Sequence, residues 1–184
     1  MDLMIDLETF SLHPHPAIVQ IGAVVWDNEA DRWSDARPSM FGWTISLQSS
    51  VMAGGHVCPQ TVSWWRAQSP EARAAIEENP IQLSKALDGL AKWMSTFPIE
   101  RVWAHGAATD IPWLAAAYTA VGIDIPWSYR HPRDTRTLFD IAEPWGWEGE
   151  DPTGTAHDAV VDAVNQAINV HSASVYLREM RRTV

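Results

Sequence analysis

The sequence is poorest in cysteine and in positive charge. Cys58 is the single cysteine among 184 residues, so no internal disulfide can form and the chain suits a reducing cytoplasm. Lys and Arg number 13 against 23 Asp and Glu, a formal net charge of −10. That balance argues against a protein that coats nucleic acid by broad phosphate neutralisation, but not against one that grips a chain end locally through metal ions. No apolar run reaches the roughly 18 residues of a membrane span, so no membrane partner is expected. No basic-then-apolar leader precedes the first strand, so no secretion signal is expected either. Internal repeats, low-complexity tracts and obvious linkers are also missing.

What is present is an ordinary globular composition, 46% apolar and 20% charged, with an unusual 11 tryptophans. The length fits a single domain over 1–184 with a substantial core. Residues 2–8, 18–27 (IVQIGAVVWD) and 40–48 (MFGWTISLQ) read as strands, and short connections join them into an antiparallel meander. Pro59 opens a short helix through Trp64 and Trp65, and Ser69-Pro70-Glu71 reads as the cap and first turn of another. Leu83, Leu87, Leu90, Met94 and Phe97 recur at helical spacing over 81–97. A fourth strand is expected at 101–104. A helical stripe through Ile111, Leu114, Ala115 and Tyr118 follows, with Gly122 as its stop. Residues 134–143 and 156 to about 180 read as helices. The order predicts an α/β fold, one mixed sheet of about five strands flanked by helices.

Acids stand where local structure does not ask for them. In MIDLETF (4–10), Asp6 and Glu8 interrupt an apolar strand, and residues two apart point to the same face. Such a pair needs a cation between its members, or a place where the strand runs out into water. Asp110, in WAHGAATDIPWL, begins a helix, where free N–H groups favour a carboxylate without any further role. Asp162 lies among Val160, Val161, Ala163 and Val164, a costly place for an unpaired acid. His157 stands five residues earlier in AHDAVVDA, and a histidine in such a place, read by itself, is more often a capping or solvated one.

Taken in order, a strand D-x-E, a strand-to-helix Asp and a helical H-x₄-D resemble the three motifs of the DnaQ-like 3′→5′ exonucleases. The branch is the DEDDh type, because the fifth residue is His157 and no tyrosine lies one turn before Asp162. Within that superfamily, TVSWWRAQSPEAR (61–73) and RDTRTL (133–138) are similar to a subgroup of phage 3′→5′ DNA exonucleases and a related bacterial exoribonuclease. The subgroup's second motif usually reads Asn-Gly followed by Phe-Asp. Here His105-Gly106 replaces the first pair and Thr109 precedes Asp110.

The resemblance implies an RNase H-like sheet with the first strand central and parallel to the fourth. It implies that Asp6, Glu8, Asp110 and Asp162 hold two divalent cations, Mg²⁺ with Mn²⁺ as a substitute, which agrees with the preference of hard cations for carboxylate oxygen. His157 is the implied general base, and a side chain titrating near neutrality suits that task. Leu7, Thr9 and Phe10 match the positions that hold the terminal nucleotide, Phe10 being equally readable as a core aromatic. Of the adjacent Trp64 and Trp65, one is expected in the core and one in the nucleotide cleft. Trp113, like Trp26, Trp93 and Trp103, reads as packing. His105 and Arg133 are further nucleotide-contact candidates, Arg136 also being within reach of phosphate. The H-x-H of His13 and His15 sits in a proline-marked loop with no Cys or His partner at metal-site spacing. The expected partner is a single-stranded nucleic-acid 3′ end, RNA slightly ahead of single-stranded DNA, yielding nucleoside 5′-monophosphates. The alternatives are a 3′-end binding module without turnover and an internally cutting RNase H-like enzyme. The subgroup resemblance also implies a homodimer.

Overall fold

The computed structural model describes residues 1–183. Five strands form one mixed sheet: β1 (Asp2–Thr9), β2 (Ile18–Trp26), β3 (Ser39–Thr44), β4 (Arg101–Ala104) and β5 (Pro132–Asp134), in the order β3-β2-β1-β4-β5. β1 is central, antiparallel to β2 and parallel to β4, while β2–β3 is antiparallel and β4–β5 parallel. Among the described residues the helices are α1 (Leu47–Met52), α2 (Pro59–Arg66), α3 (Pro70–Ala75), α4 (Leu83–Met94), α5 (Asp110–Ala120), α6 (Thr135–Ala142) and α7 (Ala159–Thr183). None is long and apolar enough to cross a membrane.

Both faces of the sheet are covered, which is why every residue of β2 is buried. The strand period of two sorts β1 between two cores. Leu3, Ile5 and Leu7 pack with Leu83, Leu87 and Leu90 of α4 and Leu114 and Tyr118 of α5. Met4, on the opposite face, packs against Ala163, Ala167 and Val170 of α7. Asp6 and Glu8 share the face of Met4, so the two acids look toward α7.

That helix comes unusually close to the sheet. A Cβ on Gly22, which pairs with Asp6 across the β1–β2 ladder, would collide with the Ala159 carbonyl. Gln20, opposite Glu8, is 6% exposed; its Oε1 accepts from Ala159 N at 2.9 Å and its Nε2 donates to the Ala75 carbonyl at 3.2 Å. At the other end of β1, Asp2 is fully buried and accepts from Arg101 Nε at 2.7 Å and Trp103 Nε1 at 2.8 Å. This bonded acid ties β1 to β4.

The structure corrects several predicted boundaries. The third strand stops at Thr44 because Ser46, whose Oγ accepts from Ser49 N, caps α1. Asp134 caps α6 rather than lying within a longer helix, and the preceding residues form β5. The last helix starts at Ala159, not 156, because Asp158 Oδ1 accepts from Val160 N at 2.9 Å and Val161 N at 3.3 Å.

Candidate active site

β1 delivers Asp6 and Glu8 toward α7, and the first turn of α7 delivers Asp162. His157 precedes that helix with a left-handed φ of +63°, and its backbone N–H donates to Asp162 Oδ2 at 2.9 Å. One donor atom each from Glu8, His157 and Asp162 lie within 4.8 Å of one another. Asp110 is the first residue of α5, and Thr109 Oγ1 donates to its carboxylate at 3.1 Å. Asp6 Oδ1 accepts from Gln166 Nε2 at 2.8 Å. Gln166, one turn beyond Asp162, was not singled out from sequence, although i,i+4 spacing places the two on one helix face.

Electrostatics bind these acids into one cluster. Burial, then repulsion from Glu8 and Asp110, pushes Asp6 well above the usual carboxylate range, against the opposing bond from Gln166. Burial and the charges of Asp162, Asp110 and Asp158 push Glu8 up to about 8. Burial pushes Asp110 up to about 6, held back by the Thr109 hydroxyl, backbone bonds and the Arg136 charge. Burial likewise raises Asp162, opposed by the His157 N–H bond and the charge of His157. Carboxylates that hold one another's protons in this way bind cations readily, because a cation removes both the repulsion and the desolvation cost. The mostly oxygen donor set fits a hard divalent ion.

A cleft of about 430 Å³ adjoins Glu8, lined by Leu7, Glu8, Thr9, Leu12, Gln60, Thr61, Trp64, Trp65 and Trp113. Both tryptophans of the Trp-Trp pair line it. Trp64 is 44% exposed, whereas Trp65 is 3% exposed and donates from Nε1 to the Thr9 carbonyl at 3.0 Å. The expected division into one core and one cleft residue becomes one residue serving both and one mainly facing the cleft. Phe10 lies outside the lining and packs on Trp65 at 6.3 Å, within the small core of Val19, Ala72 and Ile76. Trp113, expected as packing, is a wall of the cleft, as are Leu12, Gln60 and Thr61, which nothing local in the sequence distinguishes.

Two other expected contacts are engaged elsewhere. The His105 ring bonds to Thr135 Oγ1 at 2.8 Å and lies over Phe139. Arg133 Nη1 donates to the carbonyls of Arg130 and Pro132, each at 2.8 Å, folding the guanidinium onto its own loop. Arg136, three residues on, is the arginine whose field reaches Asp110 and His105. Its Nη1 lies 3.0 Å from where a Gly106 Cβ would stand. Gly106 itself has φ +108°, a conformation that favours glycine at the turn leading to Asp110.

A mixed sheet whose central strand carries two acids, joined by acids from two flanking helices, is the arrangement of the RNase H-like nucleases. The same architecture occurs in the nuclease domain of 3′hExo, a DEDDh family member bound to rAMP, with TM-score 0.58 and 13% identity over 96% of this chain and 91% of that one. It occurs too in cell-death related nuclease 4 (CRN-4), with TM-score 0.56 and 13% identity over 98% of this chain and 63% of that one. At that identity the likeness concerns the fold. Residues 1–174 match the model of the 3′-5′ exoribonuclease Rv2179c-like domain, and the chain belongs to that family of 3′-5′ exonucleases. No curated protein matches the sequence.

Proposed function

We propose that this protein is a divalent-metal-dependent exonuclease, acting as one domain, that removes nucleoside 5′-monophosphates from single-stranded 3′ ends, RNA being preferred over DNA. The observation that carries the reading is the gathering of Glu8, His157 and Asp162 donor atoms within 4.8 Å, beside the aromatic cleft. Asp6 and Asp110 belong to the same field of mutually repelling acids. The four acids would hold two Mg²⁺ ions, their formal charges balancing, and Mn²⁺ would substitute. Paired dications of this kind stabilise the attacking and leaving oxygens of an in-line displacement.

The remaining work falls to the chain's own groups. His157 accepts the proton of the attacking water, a role suited to imidazole near neutral pH. Trp64 and Trp113 offer apolar faces to the terminal base, and such stacking tolerates base identity at roughly 1–3 kcal/mol per base. Arg136 holds a phosphate on the Asp110 side. Gln60 and Thr61 supply polar contacts in the cleft, where a bond to the 2′-OH would distinguish RNA from DNA.

The deciding experiment is digestion of 5′-labelled RNA and DNA oligonucleotides of matched sequence with Mg²⁺, then with a chelator, and with a 3′-phosphate block. The expected result is stepwise, Mg²⁺-dependent shortening from free 3′ ends, faster on RNA. Internal cleavage of the blocked oligonucleotide would refute the exonuclease assignment, and faster digestion of DNA would reverse the substrate preference.

A further inference from the structure

His157 is held by its backbone and not by its ring. Its N–H is fixed to Asp162, and the loop before it is pinned where Thr153 N donates to Asn165 Oδ1 at 3.2 Å and Asn165 Nδ2 donates back to the Thr153 carbonyl at 2.9 Å. Among the described residues no side chain hydrogen-bonds the imidazole. A general base is ordinarily aimed by a third group bonded to its second nitrogen. Here the imidazole is instead packed against two indoles. The Trp64 ring lies 4.8 Å from the imidazole at 77° and the Trp65 ring 6.2 Å away at 79°, both edge-to-face.

The two indoles have different mechanical standing. Trp65 is fixed, buried among Val19, Ala72 and Ile76 and bonded to the carbonyl of Thr9, the residue after Glu8. It therefore ties the end of the acid-bearing strand to the imidazole. Trp64 packs on Trp65 at 5.1 Å and on His157, yet lies 44% exposed along the cleft. Anything that fills the cleft presses on an indole that also rests on the imidazole and on the fixed Trp65.

We propose that Trp64 and Trp65 are positioning residues that aim the His157 ring, and that Trp64 makes this aim depend on occupancy of the cleft by the terminal base. The inference rests on His157 being the base and the cleft being the nucleotide site. A substrate with its terminal base in place then gains turnover as well as affinity. A substrate lacking that base leaves Trp64 free to rotate and the imidazole free with it.

The test measures kcat and KM with Mg²⁺ on a single-stranded RNA oligonucleotide for wild type, Trp64→Leu and Trp64→Phe. A second arm gives wild type and Trp64→Leu an otherwise identical oligonucleotide with an abasic 3′-terminal nucleotide. Trp64→Leu is expected to lower kcat on the order of 10- to 100-fold with a smaller change in KM, because misaimed groups lose rate. Trp64→Phe restores most of the loss, and the His157 ring resonances move in ¹H–¹³C spectra of the leucine variant. The abasic substrate lowers kcat in wild type and costs Trp64→Leu little more. Even if a substitution unfolds the chain, the wild-type arm alone can refute the inference, which requires the abasic end to lower kcat. A raised KM with unchanged kcat in Trp64→Leu, or an abasic penalty confined to KM, would overturn the inference and leave Trp64 a passive wall. Full turnover by His157→Ala would instead remove the underlying reading of the base, a failure distinguishable from the first.

Discussion

Replacing Glu8 with glutamine separates what this carboxylate does for chemistry from what it does to the fold. In the folded chain its proton leaves at about 8 rather than 4.5, chiefly because of burial and then the neighbouring acids. Between those two values the folded state keeps a proton that the unfolded state has lost. Stability contributed by this group is therefore full below the unfolded value and lost as pH rises toward the folded one. At neutral pH the span above 4.5 is about 2.5 pH units, and at ~1.4 kcal/mol each the group costs the chelator-treated protein about 3 kcal/mol. Asp6, Asp110 and Asp162 share the repulsion, so the substitution recovers about 1–3 kcal/mol, or roughly 2–10 °C in Tm for a chain of this size. The assay is thermal unfolding by circular dichroism in chelator from about pH 5 to about pH 8. Wild type is expected to lose Tm across that range and to regain it on adding Mg²⁺. Glu8→Gln should start higher at neutral pH, fall less steeply, respond weakly to Mg²⁺ and hydrolyse nothing. A variant that melts below wild type at neutral pH, with an unchanged pH slope, would refute the electrostatic account of the site.

Three further outcomes are expected. His157→Ala should slow turnover by a factor of about 10²–10⁴ while Mg²⁺ affinity by calorimetry changes little, and a large loss of affinity would make this residue a metal ligand instead. Arg136→Gln should raise KM and flatten the dependence of KM on salt, while Arg133→Gln changes neither, since the guanidinium of Arg133 is already bonded to its own loop. Arg101→Met should destabilise the fold by about 3–5 kcal/mol in denaturant titration, because it strands the buried carboxylate of Asp2. Well below its melting point that variant should retain wild-type kcat, marking Asp2 as scaffold.

Much of this was legible in the sequence where a residue contradicted its surroundings. Asp6 and Glu8 stand in an apolar strand and Asp162 in an apolar stretch of helix, and acids so placed need partners, which the structure supplies by gathering them into one cluster. The segments of β1, β4 and α4 followed from period and composition, whereas the central place of β1 and its parallel pairing with β4 came from the family resemblance. β5 was not legible because three residues containing a proline carry no pattern, and the strand exists through pairing with β4. α1 was hidden because Ile45, Ser46 and Leu47 continue the alternation of β3 until the Ser46 cap breaks it. Arg133 and Arg136 are indistinguishable in RDTRTL, since only the tertiary structure decides which guanidinium reaches Asp110. Gln166 and Trp113 take their places from neighbours remote in sequence.

The collision that any side chain at position 22 would cause bears on when the enzyme becomes active. Asp6 and Glu8 are synthesised near the beginning of this sequence, but they face bare strand until the helix carrying Asp162 has emerged and settled over the glycine. A chain in which that helix has not yet docked is thus expected to be inert, because His157 and Asp162 do not yet stand beside Glu8. Hydrolytic competence arrives with the docking of that helix, not with the acids of the first strand.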